Sequence, residues 1–181
     1  LRPTPYTASS AFALAEPVSY RPDLDDHRLA VSQPSNPREA EATPGLVTAC
    51  LTNVLVRSEP FAIAPVGAHS DASFAITLQL TLVAAGSTSL STREVGMSVT
   101  APAASASASA PVVTAGGGEE AVAAGLLEIR APDGTPIDRV RIFAQRFPRD
   151  GEPLESRAEA LCEILAAETE HYLAWRIAGN G

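Results

Sequence analysis

The chain has 181 residues, a formal charge of −8 and a pI near 4.8, enough length for one domain with a real core and no basic run to draw in nucleic acid or anionic lipid. All 13 basic residues are arginine, which removes Schiff-base lysine chemistry and a Walker-type phosphate lysine, although a GC-rich genome explains the same bias without any site. Apolar residues make up 45% of the chain but aromatics only 5%, so the expected core is thin, a two-layer packing rather than a large α/β sheet.

Residues 1–27 carry four prolines and no sustained period, and read as an extended Pro-rich arm with one short edge strand at Phe12 to Leu14. The rest, 28–181, reads as a single domain. "RLAVS" (28–32) is a short strand candidate, followed by a loop to Ala42. Thr43-Pro44 then offers an N-cap and a first-turn proline, with Leu46, Cys50, Leu51, Val54 and Leu55 at helical spacing behind it. Pro60 ends that helix near Ser58.

"FAIAPV" (61–66) reads as a strand and "GAHSD" as a tight connection. "DASFAITLQLTLV" (71–83) reads as the longer hairpin partner, with Phe74, Ile76, Leu78, Leu80 and Leu82 on one apolar face. "TREVGMSVT" (92–100) alternates as a further strand. "AASASASAPVVTAGGG" (103–118) is low-complexity, too poor in large apolar groups to repay its ordering entropy, and is expected to be a mobile loop. "AVAAGLLEIR" (121–130) and "IDRVRIFAQR" (137–146) flank Asp133-Gly134, a strong hairpin signal. Pro153 to Ile177 forms the longest helix, striped by Leu154, Ala158, Leu161, Leu165, Tyr172 and Leu173 and stopped by Gly179. Strand faces and helix stripes must bury one another. The expected fold is therefore an α+β two-layer sandwich, a mostly antiparallel sheet with two helices on one face.

Residues with chemical potential are few. His69 and Asp71 sit in a turn whose small polar residues need no metal to explain them. Glu168 and His171 have the E-x-x-H spacing of di-iron bundles, but that architecture needs the motif twice on long helices. "AGGGEE" (115–120) is a glycine run outside any βαβ context, and no G-x-S-x-G occurs. No catalytic residue, metal site or cofactor is expected. Cys50 and Cys162 both fall in helical patterns; buried free thiols are the expected reading and a disulfide the alternative. No apolar run approaches the ~18–20 residues of a membrane span. The opening "LRPTPYTASS" without Met reads as a processed chain whose targeting segment lies upstream.

The order of elements carries a resemblance. A helix leads through "LTNVLVRSEPFAIAPVGAHSDASFAITLQLTLV", the hairpin "AAGLLEIRAPDGTPIDRVRIFAQRF" follows, and "RAEALCEILAAETEHYLAWRI" closes the chain. Over residues 43–178 this resembles the ABC-type transport auxiliary lipoproteins of Gram-negative envelopes, associated with MCE-type lipid transport. It is also similar to the lipopolysaccharide-assembly lipoproteins that plug the outer-membrane translocon. The resemblance implies a noncatalytic periplasmic subunit of a larger protein complex, held at the outer membrane through an N-terminal lipid anchor upstream of these residues. It supplies no catalytic residues.

An accessory subunit of this kind would need contact surfaces, and the sequence offers candidates. Thr77, Gln79 and Thr81 alternate with the apolar face of their strand and would present the other side of the sheet to a protein partner. Glu159 and Glu163 lie in the acidic row of the last helix, a docking face for a basic partner or a plain solubilising one. Trp175, near the end of that helix, is a candidate interface aromatic. The rival expectations are a structural subunit of a large assembly (virion, secretion machine or respiratory complex), with the arm 1–27 threaded between neighbours, and a hydrolase or metal enzyme whose site has no recognisable motif.

Overall fold

The structure, a computed structural model, describes residues 5–22, 30–31, 36–57, 61–68, 70–71, 73–84, 90–91 and 121–179. It is an α+β two-layer sandwich in which two helices cover one face of an open, mixed six-stranded sheet. The strands are β1 (Phe12–Leu14), β2 (Ser19–Tyr20), β4 (Ile63–Ala64), β5 (Phe74–Ala84), β7 (Ala121–Arg130) and β8 (Pro136–Arg146). β3 (Ala30–Val31) and β6 (Leu90–Ser91) pair antiparallel as a separate ribbon, so the strand expected at 28–32 is present. The strand expected at 92–100, the loop at 103–118 and His69 lie outside the described residues.

The sheet order is β4-β1-β5-β7-β8, with β2 adding to β5 farther along. β1 pairs parallel with both β4 and β5, so it is not an edge strand, and β4 and β5 are not a hairpin. The reason is burial: Phe12, Ala13 and Leu14 are all closed off from solvent, a run that only an interior strand can satisfy. The described part of the expected arm is thus domain rather than appendage. Tyr6 and Val18 are buried beside β1, and the Tyr6, Phe12 and Phe74 rings meet tilted or edge-on with centroids 5.0 to 5.8 Å apart.

The antiparallel part, β5-β7-β8, follows the sequence closely. Leu78 faces Leu127 and Ile76 faces Ile129, all fully buried. A bulge between Leu80 and Leu82 then reverses the alternation, so that Val83, not Leu82, returns to the core. Gly125 lies opposite Leu80 there, and a Cβ on it would meet Leu80 Cδ2 at 2.9 Å and the Gln79 carbonyl oxygen at 3.0 Å. In the β7–β8 turn Gly134 takes φ +85°, and the Thr135 amide donates to Asp133 Oδ1 at 2.9 Å.

Helix α1 spans Pro37–Arg57 and so begins well before Thr43. The same cap-then-proline signature occurs earlier: Asn36 Oδ1 accepts from the Arg38 amide at 3.1 Å, and Pro37 takes the first position. Pro44 therefore lies inside the helix and is buried, at the loss of one backbone hydrogen bond. The first turn of α1 is tied to helix α2 (Leu154–Ile177), whose Arg157 Nη2 donates to Glu39 Oε2 at 3.0 Å. The buried stripe of α1 runs through Thr43, Val47, Leu51 and Leu55, leaving Leu46 exposed.

The cysteines correct the expectation of free thiols. Cys50 of α1 and Cys162 of α2 form a disulfide across the interhelical contact, with Cα atoms 6.1 Å apart and a sequence separation of 112. Both helices pack on the same sheet face, α1 over β5 and α2 over β7 and β8. Leu51, Leu55, Leu161, Leu165 and Leu173 meet Leu14, Ile76, Leu78, Leu80 and Ile129 in one continuous core.

Candidate protein-binding surfaces

Residue parity on the three long strands assembles the sheet face turned away from the helices. Thr77, Glu128 and Arg139 stand in one cross-strand row, and Gln79, Leu126 and Arg141 in the next. Leu82, Ala124 and Phe143 follow beyond the bulge. Thr77 and Gln79 are half-buried. Thr81 does not continue their line: it sits in the bulge, and its hydroxyl donates toward the Ala124 carbonyl at 3.4 Å. The face mixes hydroxyl, amide, carboxylate and guanidinium groups with an exposed Phe143.

Glu159 and Glu163 lie exposed on α2, one turn apart. The sandwich separates them from Thr77 and Gln79, because α2 covers the opposite side of the sheet. These two groups of candidate residues are therefore distinct surfaces and do not form one site.

Trp175 is 46% exposed and lies beside Tyr172, ring centroids 6.1 Å apart. The pair walls an open hollow of about 290 Å³ between α2 and β8, floored by Val140, Arg141 and Ile142. Glu168 and His171 complete its rim, which gives that E-x-x-H spacing a surface location. No group of three or more His, Cys, Asp or Glu side chains able to hold a metal occurs among the described residues.

Beneath the hollow lies a polar cluster that the sequence did not reveal. Arg176 of α2 donates from Nε and Nη2 to the two carboxylate oxygens of Asp138 on β8, at 2.8 and 3.0 Å. Tyr6 donates its hydroxyl to Asp138 Oδ2 at 2.8 Å, and the guanidinium lies 5.5 Å from the Tyr6 ring centre. Burial, then the Asp138 carboxylate, pushes the Tyr6 hydroxyl well above the ordinary phenol range. Burial also raises Tyr172. One signal was visible: Asp138 has core parity on β8, and Arg176 follows Leu165, Thr169 and Leu173 on the buried side of α2. A second hollow, about 410 Å³, opens between the segment Ala8 to Phe12 and Phe61, Ala62 and Ile177.

No family model matches the chain, and no curated protein matches it. Among solved structures it is similar to protein XCC0632 from Xanthomonas campestris, assigned to the family model DUF330, with a TM-score of 0.50 and 14% identity. That alignment covers 97% of this chain and 88% of the other, and at such identity it establishes likeness of fold alone. The PelC dodecamer from Paraburkholderia phytofirmans aligns with a TM-score of 0.42 and 10% identity, over 90% of this chain and 92% of its own.

Proposed function

We propose that this chain is a noncatalytic accessory subunit of a bacterial envelope lipid-transport system and acts by binding protein partners. The observation that carries the reading is the Cys50–Cys162 disulfide, which joins the only two long helices of the described residues. Disulfides persist in oxidising compartments such as the periplasm and are rare in the cytosol, where thiols are kept reduced. The resemblance in element order to transport auxiliary lipoproteins points to the same compartment, and the likeness of fold to XCC0632 spans nearly the whole chain. Among the described residues no helix is long and apolar enough to cross a membrane.

Two surfaces are available to partners: the sheet face around Thr77 and Gln79, and the acidic row of Glu159 and Glu163 on α2. The rival reading, a structural subunit with its N-terminal arm threaded between neighbours, loses support because Tyr6, Phe12, Leu14 and Val18 are buried in the chain's own core. Thiol trapping in intact cells tests the compartment. The expected product is a chain that resists alkylation until it is reduced, recovered together with membrane-embedded transport subunits. A chain alkylated at both cysteines without reduction would place it in a reducing compartment and remove the proposal.

A further inference from the structure

We propose that the hollow between α2 and β8 is a binding site for a zwitterionic alkylammonium phosphate, the ammonium held by Trp175, Tyr172 and Glu168 and the phosphate by Arg141. The site goes beyond the partner-binding role proposed above and does not rest on it, because its chemistry belongs to the side chains that line it.

One wall is a stripe of the closing helix. Glu168, His171, Tyr172 and Trp175 recur at i, i+3, i+4 and i+7, and so share the flank of α2 that is turned to β8. Tyr172 is half-buried and Trp175 stands out into solvent, with the two rings tilted 39° to each other. The other wall is the edge strand. Arg141 alternates toward the far face of the sheet, but no strand among the described residues lies beyond β8. The hollow is open at that edge and takes in Arg141 together with Val140 and Ile142. Its volume of about 290 Å³ is at the small end of ligand sites, room for a headgroup-sized molecule whose remainder stays in water.

The charges select the ligand. A carboxylate on α2 faces a strand that carries a guanidinium, and the Glu168 carboxylate enters no ion pair among the described residues. Arg141 already has an interaction of its own, yet a guanidinium has several N–H donors and holds phosphate oxygens well. His171, exposed at the outer rim, has a ring N–H to donate in either protonation state. A lone anion in the hollow meets Glu168 as a like charge, and a lone cation meets Arg141 so. A ligand that carries both charges meets both as opposites. Two aromatic rings beside a carboxylate suit an alkylammonium, whose charge is drawn to the negative ring faces. Lipid headgroups and soluble phosphodiesters share this chemistry.

Trp175 is the only tryptophan of the chain, so its fluorescence reports on the hollow directly. Glycerophosphocholine is the probe, with choline and glycerophosphate as its cationic and anionic halves. The expected result is a saturable change in emission at about millimolar probe, with each half at least about tenfold weaker. Glu168→Gln should weaken the probe about tenfold without weakening glycerophosphate, and Arg141→Gln should weaken it about tenfold without weakening choline. Both side chains are exposed, and circular dichroism checks that both variants fold. Flotation with phosphatidylcholine vesicles but not with phosphatidylglycerol vesicles would assign the lipid-borne ligand; binding of the soluble probe without flotation would assign the free diester. No saturable change, a half that binds as well as the whole, or a variant with undiminished affinity for the probe would each overturn the proposal.

Discussion

Arg176 holds Asp138 by two parallel hydrogen bonds of 2.8 and 3.0 Å, and Tyr6 closes the cluster with a third at 2.8 Å. Three distant parts of the chain, the N-terminal segment, the edge strand and the last turn of the closing helix, are tied at one buried carboxylate. Arg176→Met should cost about 3–5 kcal/mol, because it leaves Asp138 buried without its cation. Combined with Asp138→Leu, the loss should be much smaller than the sum of the two single losses, as replacing a whole buried pair by apolar groups often is. Urea denaturation of the four chains gives the coupling. Additive losses would show that the pair contributes nothing as a pair.

The Cys50–Cys162 bridge closes a loop of 112 residues. The chain-entropy account gives a loop near that length about 4–5 kcal/mol of stabilisation, acting on the unfolded state. Reduction, or Cys50→Ala with Cys162→Ala, should lower stability by an amount of that order while leaving the far-ultraviolet circular dichroism of the folded chain unchanged. Equal denaturation midpoints with and without reductant would mean that the two helices are not bridged.

Parity along β5 is testable one residue at a time. Leu78 is fully buried, and Leu78→Ala should cost about 2–5 kcal/mol. Leu82 would share that cost if the alternation ran unbroken, but the bulge turns it away and admits Val83 instead. Leu82→Ala should therefore cost clearly less than Leu78→Ala in the same denaturation assay. Equal losses would place both on one face and remove the bulge.

Glu152 lies just ahead of α2, where Arg146, the Arg149 amide and the Ser156 hydroxyl all donate to it. These bonds, Arg146 first, hold its pKa down to about 2. A depressed carboxyl contributes stability that is present above the ordinary glutamate pKa of about 4.3 and disappears as pH falls to the folded-state value. Glu152→Gln should thus be less stable than wild type at neutral pH, and the gap should close as pH falls from about 5 toward 2. A gap that stays constant with pH would assign the loss to packing rather than to charge.

What could be read from the sequence was local. The β7–β8 hairpin announces itself in Asp133-Gly134, and α2 in a stripe that runs unbroken to Gly179, so both were placed within a residue or so. The two-layer architecture followed from those patterns. β1 was misplaced because three apolar residues among prolines look like a margin, and only the partners on both sides, Ile63 and Phe74, make it interior. Pro44 drew the start of α1 seven residues late, because an earlier cap with its own proline, Asn36-Pro37, competes with Thr43-Pro44. The Tyr6, Asp138 and Arg176 cluster and the disulfide join residues far apart in the chain, where no period or spacing connects them. Thr77 and Gln79 are half-buried and Glu159, Glu163 and Trp175 exposed, whereas the bulge takes Thr81 out of line, and only strand order and helix placement separate Gln79 from Glu159.

The central claim, that this chain works by binding protein partners in the envelope, is tested most directly by site-specific photocrosslinking in cells. A crosslinking side chain at Gln79, at Glu159 and, as a control, at exposed Asn53 of α1 samples three different surfaces. The account predicts a discrete adduct with an envelope transport subunit from Gln79 or Glu159 and none from Asn53, with the Glu159 adduct fading as salt screens its charge. Absence of any heterologous adduct from both Gln79 and Glu159, in a chain shown to be folded and oxidised in those cells, would contradict it.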